Sequence, residues 1–83
     1  MRSYDSLTRD VIAIVAEIAE VDESEVSPTA RLEDLGIDSL DGLRIVAAVE
    51  KKYGLVIDEA EIGKIRTMPD ILEMVRRHAP EVN

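Results

Sequence analysis

The stretch LEDLGIDSL, residues 32–40, lies near the middle of this 83-residue chain and marks the start of a helix. Gly36 permits a tight turn, and Asp38 and Ser39 are residue types that cap a helix ahead of an apolar run. The hydroxyl of Ser39 is therefore expected beside backbone N–H groups that have no partner within the helix. The positive end of a helix dipole also favours an attached phosphate. On the Asp-Ser dipeptide alone, simple helix capping is the more ordinary interpretation.

The apolar residues on either side of this stretch recur at helical spacing and predict an all-α fold. We expect a small four-helix bundle, with three main helices, one short helix and a long loop between helices 1 and 2. The predicted elements are helix 1 over residues 5–20, the loop over 21–38, helix 2 from 38 or 39 to 53, helix 3 over 58–62, and a last helix that starts after residue 67. Thr67 and Asp70 form a pattern much like a capping box at that start. The whole chain, residues 1–83, is expected to be one domain.

Three further details of the fold follow from the sequence pattern. Ser3, Asp5 and Ser6 are candidate N-caps of helix 1. The predicted apolar stripe of helix 2 consists of Leu43, Val46, Val49 and Tyr53, with Ala47 beside it. The Leu-Val-Ile run at 55–57 is short, and the sequence offers no second strand to pair with it. We therefore expect this run to be a buried connector.

Composition and charge exclude several classes of function. The chain has 18 acidic and 10 basic residues, a net charge of −8, no cysteine and one histidine, His78. The acidic balance argues against nucleic acid and anionic membranes as partners, and it suits partners with basic surfaces. Without cysteine, and with a single histidine, neither a disulfide nor a metal site is expected. No apolar run approaches the length of a transmembrane helix or resembles a signal sequence, so we expect a cytoplasmic protein. We also expect it to be a monomer.

The central stretch resembles the phosphopantetheine attachment site of acyl carrier proteins, in which a serine follows Leu-Gly-x-Asp and precedes leucine. The order of helices, loop and serine is similar to that family along nearly the whole chain. The resemblance implies that Ser39 carries 4′-phosphopantetheine, transferred from coenzyme A by a magnesium-dependent phosphopantetheinyl transferase to which Asp38 helps present the serine. The thiol of this arm would hold acyl groups as thioesters in fatty acid, lipid or polyketide biosynthesis. The implied partners are acyl-transferring, ketosynthase or ligase enzymes with basic docking surfaces, and the chain itself is not expected to be an enzyme.

The resemblance also implies two sets of residues around the serine. The partner-binding set consists of acidic residues and one leucine, namely Leu40, Asp41, Glu50, Asp58, Glu59 and Glu61. The set that would form an acyl-chain cleft between the helices is apolar, namely Val46, Val49, Ile62, Ile65, Met68 and Ile71. Ile62 and Ile71 stand where many fatty-acid carriers have smaller residues, which predicts a narrow cleft and a cargo that is short or stays outside. Taken singly, each acidic residue is also consistent with an ordinary solvated charge, and each apolar one with an ordinary core position.

Several residues depart from the pattern of housekeeping fatty-acid carriers. Arg44, Lys51 and Lys52 interrupt the acidic second helix, and Gly42 replaces a bulkier residue near the serine. We therefore hypothesise a specialised stand-alone carrier. Two alternatives stay open: an aminoacyl or peptidyl carrier of a nonribosomal peptide pathway, and an acidic helical interaction module that is never modified. A serine hydrolase is not expected, because the only histidine lies at the far end of the chain.

Overall fold

The computed structural model describes residues 5–78, and in this range the fold is helical. Its α-helices are α1 (Ser6–Ala19), α2 (Ser39–Tyr53), α3 (Glu59–Ile62) and α4 (Met68–His78). The long loop between α1 and α2 contains two 3₁₀ turns, Glu23–Glu25 and Leu32–Leu35. The predicted all-α class, with three main helices and one short helix, is confirmed. No helix in the described part of the chain is long and apolar enough to cross a membrane.

Polar side chains at the helix starts explain where α1 and α4 begin. Asp5 Oδ1 accepts a hydrogen bond from Thr8 N–H at 2.9 Å and caps α1. At α4, Thr67 Oγ1 accepts a hydrogen bond from Asp70 N–H at 3.3 Å, while Asp70 Oδ2 accepts one from Thr67 N–H at 3.1 Å. This reciprocal pair is the predicted capping box. Of the other predicted caps of α1, Ser3 lies outside the described residues.

The core lies where α1, α2 and α4 meet. Its largest fully buried side chains are Leu7, Val11 and Val15 from α1, Ile45, Val46 and Val49 from α2, and Met68, Ile71, Met74 and Val75 from α4. Within each helix every one of these residues has another member of the set three or four positions away, so they share one face of the helix. Within residues 5–78, no buried side-chain nitrogen or oxygen lacks a hydrogen-bond partner.

The buried face of α2 differs from the predicted stripe. Ile45 is fully buried together with Val46 and Val49, whereas Leu43 is 48% exposed. The prediction for Leu43 was wrong because the apolar residues of this helix are compatible with two overlapping faces. Packing against α1 selects the face that contains Ile45.

The connector after α2 is only partly buried, which corrects another prediction. Ile57 is 5% exposed, but Val56 is 86% exposed and Leu55 is half-buried. Gly54 ends α2 in the left-handed conformation, with φ at 69°. Glu50 Oε2 then accepts a hydrogen bond from Ile57 N–H at 2.8 Å and fixes the end of the connector. Leu55 N–H also donates to Glu50 O at 3.0 Å, so Glu50 contacts both ends of the connector, which does not pair as a strand within the described residues.

The long loop is joined to the segment that precedes α4. Leu32 N–H donates to Arg66 O at 3.0 Å, and Met68 N–H donates to Ala30 O at 2.9 Å. The side chain of Ile37, the last apolar residue of the loop, is 7% exposed and belongs to the core. Through these contacts the loop packs against the rest of the fold, and they hold the segment that leads into α2.

Candidate functional site

Ser39 is the first residue of α2, and its side chain is exposed. Asp38 caps the helix, because its Oδ1 accepts a hydrogen bond from Asp41 N–H and its carbonyl accepts one from Gly42 N–H, both at 2.9 Å. Within residues 5–78, the Ser39 hydroxyl and the backbone N–H groups of Ser39 and Leu40 make no hydrogen bond. The helix start therefore offers an accessible hydroxyl with two open N–H donors beside it.

The residues before the serine position it at the surface. Gly36 ends the second 3₁₀ turn with φ at 75°, a conformation that glycine adopts without steric cost. Ile37 N–H then donates to Leu32 O at 3.1 Å, and the Ile37 side chain enters the core. Since Ile37 is anchored, the two residues that follow it are held at the surface at a defined point of the fold.

An open cleft of about 930 Å³ begins beside the serine. Its walls are formed by α2, by α3 with the segment that follows it, and by the long loop. The lining residues are Ser39, Gly42 and Leu43 from α2, Glu59, Ile62, Gly63, Ile65 and Arg66 from α3 and beyond, and Arg31, Leu32, Glu33, Ile37 and Asp38 from the loop. A Cβ added at Gly42 would meet no atom within 4 Å, so a larger residue here would extend into open space.

The predicted cleft residues divide into two groups. Ile62 and Ile65 line the open cleft and are half-buried. The other four are core residues with exposed fractions of 0–1%, namely Val46, Val49, Met68 and Ile71. Only the outer part of the predicted set is therefore accessible to a group that extends from the serine.

Within residues 5–78, the side chains of four of the six predicted partner-binding residues make no hydrogen bond or ion pair. The exposed ones are Leu40, which is 60% exposed, Asp58 and Glu59, and Asp41 is half-buried. Glu59 also lines the cleft, so part of this set lies beside the serine.

The remaining two, Glu50 and Glu61, have intramolecular partners. Glu50 accepts the hydrogen bond from Ile57 N–H described above. Glu61 pairs with Arg77 at 2.9 Å and with His78 Nε2 at 2.7 Å, so it connects α3 to the end of α4. These two carboxylates contribute to the fold, a role that the sequence pattern did not indicate.

Leu43 and Arg66 line the cleft but were not predicted as site residues. For Leu43 the sequence offered a signal: the apolar residues of α2 also fit a face that contains Ile45, and burial of that face leaves Leu43 at the surface. Arg66 is held in place because its guanidinium donates to the carbonyls of Gly63 and Ile65 at 2.8 and 2.9 Å. These contacts depend on how the chain turns after α3, and no local sequence pattern predicts them.

The site can accept a transferred group on the Ser39 hydroxyl, but it does not supply a catalytic group of its own. Among the described residues, no basic side chain lies within hydrogen-bond distance of the Ser39 hydroxyl, so nothing in the chain activates it as a nucleophile. His78, the only histidine, is engaged with Glu61. No group of three or more His, Cys, Asp or Glu residues in the described part is arranged to hold a metal ion. The exposed hydroxyl and the open N–H donors fit a phosphodiester that another protein delivers.

Comparisons with known proteins agree with this arrangement. The family described as "Phosphopantetheine attachment site" matches residues 9–75, a range that includes the site. An acyl carrier protein from Thermotoga maritima is 37% identical over 78 residues, covering 93% of this chain and 96% of the relative. An acyl carrier protein from Rickettsia canadensis is 35% identical over 77 residues, covering 92% and 90%. The crystal structure of an acyl carrier protein from Thermotoga maritima matches with a TM-score of 0.73 and 28% identity, covering 98% of this chain and 100% of that one.

Proposed function

Because this chain belongs to the phosphopantetheine-attachment family of acyl carrier proteins, we propose that Ser39 is its attachment residue. As a member of this family, the chain is a carrier rather than an enzyme, and its cofactor is a covalently attached 4′-phosphopantetheine. When bound, this group supplies the thiol that holds an acyl cargo as a thioester. We propose that residues 1–83 act as one carrier domain, as a monomer in the cytoplasm.

The observation that carries the assignment is the position of the Ser39 hydroxyl. It is exposed and free of hydrogen bonds within residues 5–78, and it stands at the first position of α2. The two open N–H groups and the helix dipole stabilise the negative charge of a phosphodiester at this point. Ser27, by contrast, is hydrogen-bonded to Thr29 at 3.0 Å, and Ser24 lies in a 3₁₀ turn of three residues without a comparable helix start.

Asp38 has one carboxylate oxygen left for a second role. Its Oδ1 is used by the cap of α2, while its Oδ2 makes no hydrogen bond within the described residues. We assign this free oxygen to the encounter with the phosphopantetheinyl transferase and its magnesium. Transfer would then form a bond between the Ser39 oxygen and the phosphorus of the phosphopantetheinyl group and break the pyrophosphate bond of coenzyme A, so that adenosine 3′,5′-bisphosphate and the hydroxyl proton are released.

Intact-protein mass spectrometry tests the attachment residue. The purified chain is incubated with coenzyme A, magnesium and a broad-specificity phosphopantetheinyl transferase, and it should gain the mass of one 4′-phosphopantetheine. Ser39→Ala should abolish the gain, and the matched control Ser24→Ala should retain it. A gain that survives Ser39→Ala, or no gain with the unmodified sequence, would contradict the assignment and favour an acidic interaction module.

The pathway that we propose is a specialised branch of fatty acid, lipid or polyketide biosynthesis. Gly42 beside the serine and the exposed cations Arg44 and Lys51 on α2 support a partner set different from that of a housekeeping carrier. Reconstituted fatty acid elongation checks this proposal, because elongation should be slower with this chain as the carrier than with a housekeeping carrier. Equal rates of elongation with the two carriers would contradict the proposal. Loading by amino-acid-activating enzymes rather than acyl-activating ones would favour the peptidyl-carrier alternative.

We also propose that the cargo is short or stays outside the bundle. Met68 and Ile71 are fully buried in the core, so a long acyl chain could enter only by displacing them. A series of acyl groups of increasing length on the arm should therefore leave the melting temperature nearly unchanged beyond the shortest members. A steady rise of the melting temperature with chain length would show that the core opens to hold the cargo.

A further inference from the structure

The outward face of α2 carries an exposed stripe, which we call the α2 outer stripe. It consists of Leu40, Leu43, Arg44, Ala47 and Lys51, all of which are exposed. At 100° per residue these five positions fall within an arc of about 100°, and the buried residues of α2 lie on the opposite side. The stripe begins one residue after Ser39, so a protein that contacts the serine also approaches this face.

The cations of the stripe have no partner among the residues that the structure describes. The ion pairs of arginine side chains in the described part of the chain involve Arg31, Arg76 and Arg77, and His78 contacts Glu61. Arg44 and Lys51 form none, although the chain has 18 acidic residues and Asp41 precedes Arg44 by less than one helical turn. Their charges are therefore available to a group outside this molecule.

The shape of the stripe suits contact with another protein. Arg44 and Lys51 are seven residues apart, which places their backbones about 10 Å apart along the helix axis. Ala47 lies between them, and its short side chain leaves a low point where an apolar residue of a partner fits. Leu40 and Leu43, 60% and 48% exposed, lie at the end of the stripe nearest the serine.

We propose that the α2 outer stripe docks a partner protein whose surface presents two carboxylates, one opposite Arg44 and one opposite Lys51, around an apolar contact over Ala47. The leucines are covered by an apolar surface of the same partner. The partner class rests on the proposed function, since enzymes that act on Ser39 or on its arm must approach the start of α2. Asp58 and Glu59 lie off the stripe and can still face basic groups at the edge of the same interface.

This charge arrangement selects among partners. A partner with a uniformly basic docking surface meets two cations on the central face of α2, and like charges at an interface disfavour binding. Exposed pairs contribute modestly, so the selection is expected to be a few-fold per charge and to weaken with salt.

Binding to a matched pair of enzymes tests the proposal. The probes are a phosphopantetheinyl transferase with a basic docking surface and a version of it in which two of those basic residues are replaced by glutamate. Dissociation constants are measured by calorimetry with the Ser39→Ala chain, so that no transfer occurs and the result does not depend on attachment. The glutamate version should bind roughly two- to tenfold more tightly, the range expected for two exposed pairs, and 0.5 M salt should reduce the difference.

Charge reversal in the chain provides the control. Arg44→Glu combined with Lys51→Glu should reverse the preference between the two transferases. Arg9→Glu combined with Lys64→Glu changes the net charge equally at exposed cations outside the stripe, and it should leave the preference in place. Equal binding of both transferases, no binding of either, or the same reversal by both double variants would overturn the proposal. An error in the assignment of Ser39 would appear in a separate experiment, the mass spectrometry described above, as a missing mass gain in the chain without substitutions.

Discussion

The cap of α2 allows the structural role of Asp38 to be separated from its role in loading. Asp38 Oδ1 accepts a hydrogen bond from Asp41 N–H at 2.9 Å in an exposed setting. Removal of an N-cap side chain costs about 1 kcal/mol, and competition with water keeps the cost well below the upper limit of about 2 kcal/mol. The main-chain bond from Gly42 N–H to Asp38 O remains in the variant, so the rest of α2 should stay folded.

We therefore expect Asp38→Ala to lower the free energy of unfolding by about 1 kcal/mol, and Asp38→Asn by less than about 0.5 kcal/mol, because asparagine is an equally good cap. For a chain of this length, about 1 kcal/mol corresponds to a decrease of about 6 °C in the melting temperature. Denaturant titration and thermal melts measure both effects. Both variants should slow loading by the transferase, because both lose the carboxylate.

Asp58 supplies the matched control for this pair of variants. It is the N-cap residue of α3, but its side chain makes no capping hydrogen bond. Asp58→Ala should therefore change the free energy of unfolding by less than about 0.5 kcal/mol. The reasoning would be refuted by equal losses in Asp38→Ala and Asp58→Ala, by a loss in Asp38→Asn as large as in Asp38→Ala, or by wild-type loading of Asp38→Asn.

Further predictions concern pH and packing. Burial and the hydrogen bond to Asp10 raise the pKa of Tyr53 from 10.0 to about 12. The free energy of unfolding should therefore fall as the pH rises from 10 to 12, and it should fall less in Tyr53→Phe. Capping hydrogen bonds lower the pKa of Asp5 from 3.8 to about 2. The stability that this carboxylate contributes above pH 3.8 should therefore decrease as the pH falls towards 2. The decrease should be no more than about 1 kcal/mol, because the group is exposed. Denaturant titrations across pH check both. Ile45→Ala should cost about 2–5 kcal/mol and Leu43→Ala less than about 1 kcal/mol, and equal losses would contradict the assigned face of α2.

Local signals predicted the helices well because capping depends on neighbours in the chain. The capping box of Thr67 and Asp70 and the cap of α2 by Asp38 both involve contacts three residues apart. Such contacts form from short-range geometry, so they can be recognised in a sequence. The predicted connector at 55–57 failed at Val56, since hydrophobicity alone does not say which side of an irregular segment faces the core.

The availability of charged side chains at the site could not be predicted in the same way. Glu61 pairs with Arg77 and His78, which lie 16 and 17 residues away in the chain, and Glu50 holds the backbone of the connector. The contacts of Glu61 exist only after α3 and α4 have packed, and the contact of Glu50 exists only after the connector has turned back onto the end of α2. Two carboxylates that the sequence offers as free docking charges are thereby engaged within the fold.

The all-α class, the starts of the main helices and the serine at the first position of α2 could be predicted from the amino-acid pattern, because each depends on local spacing and capping. The packing of the helices selects which face of α2 is buried, and it places Ile45 in the core and leaves Leu43 beside the cleft. Packing also leaves Arg44 and Lys51 exposed on the outward face of α2, where no residue of the range 5–78 pairs with them. The physical reason is that burial and ion pairing depend on groups distant in the chain, whose positions are set when the helices pack.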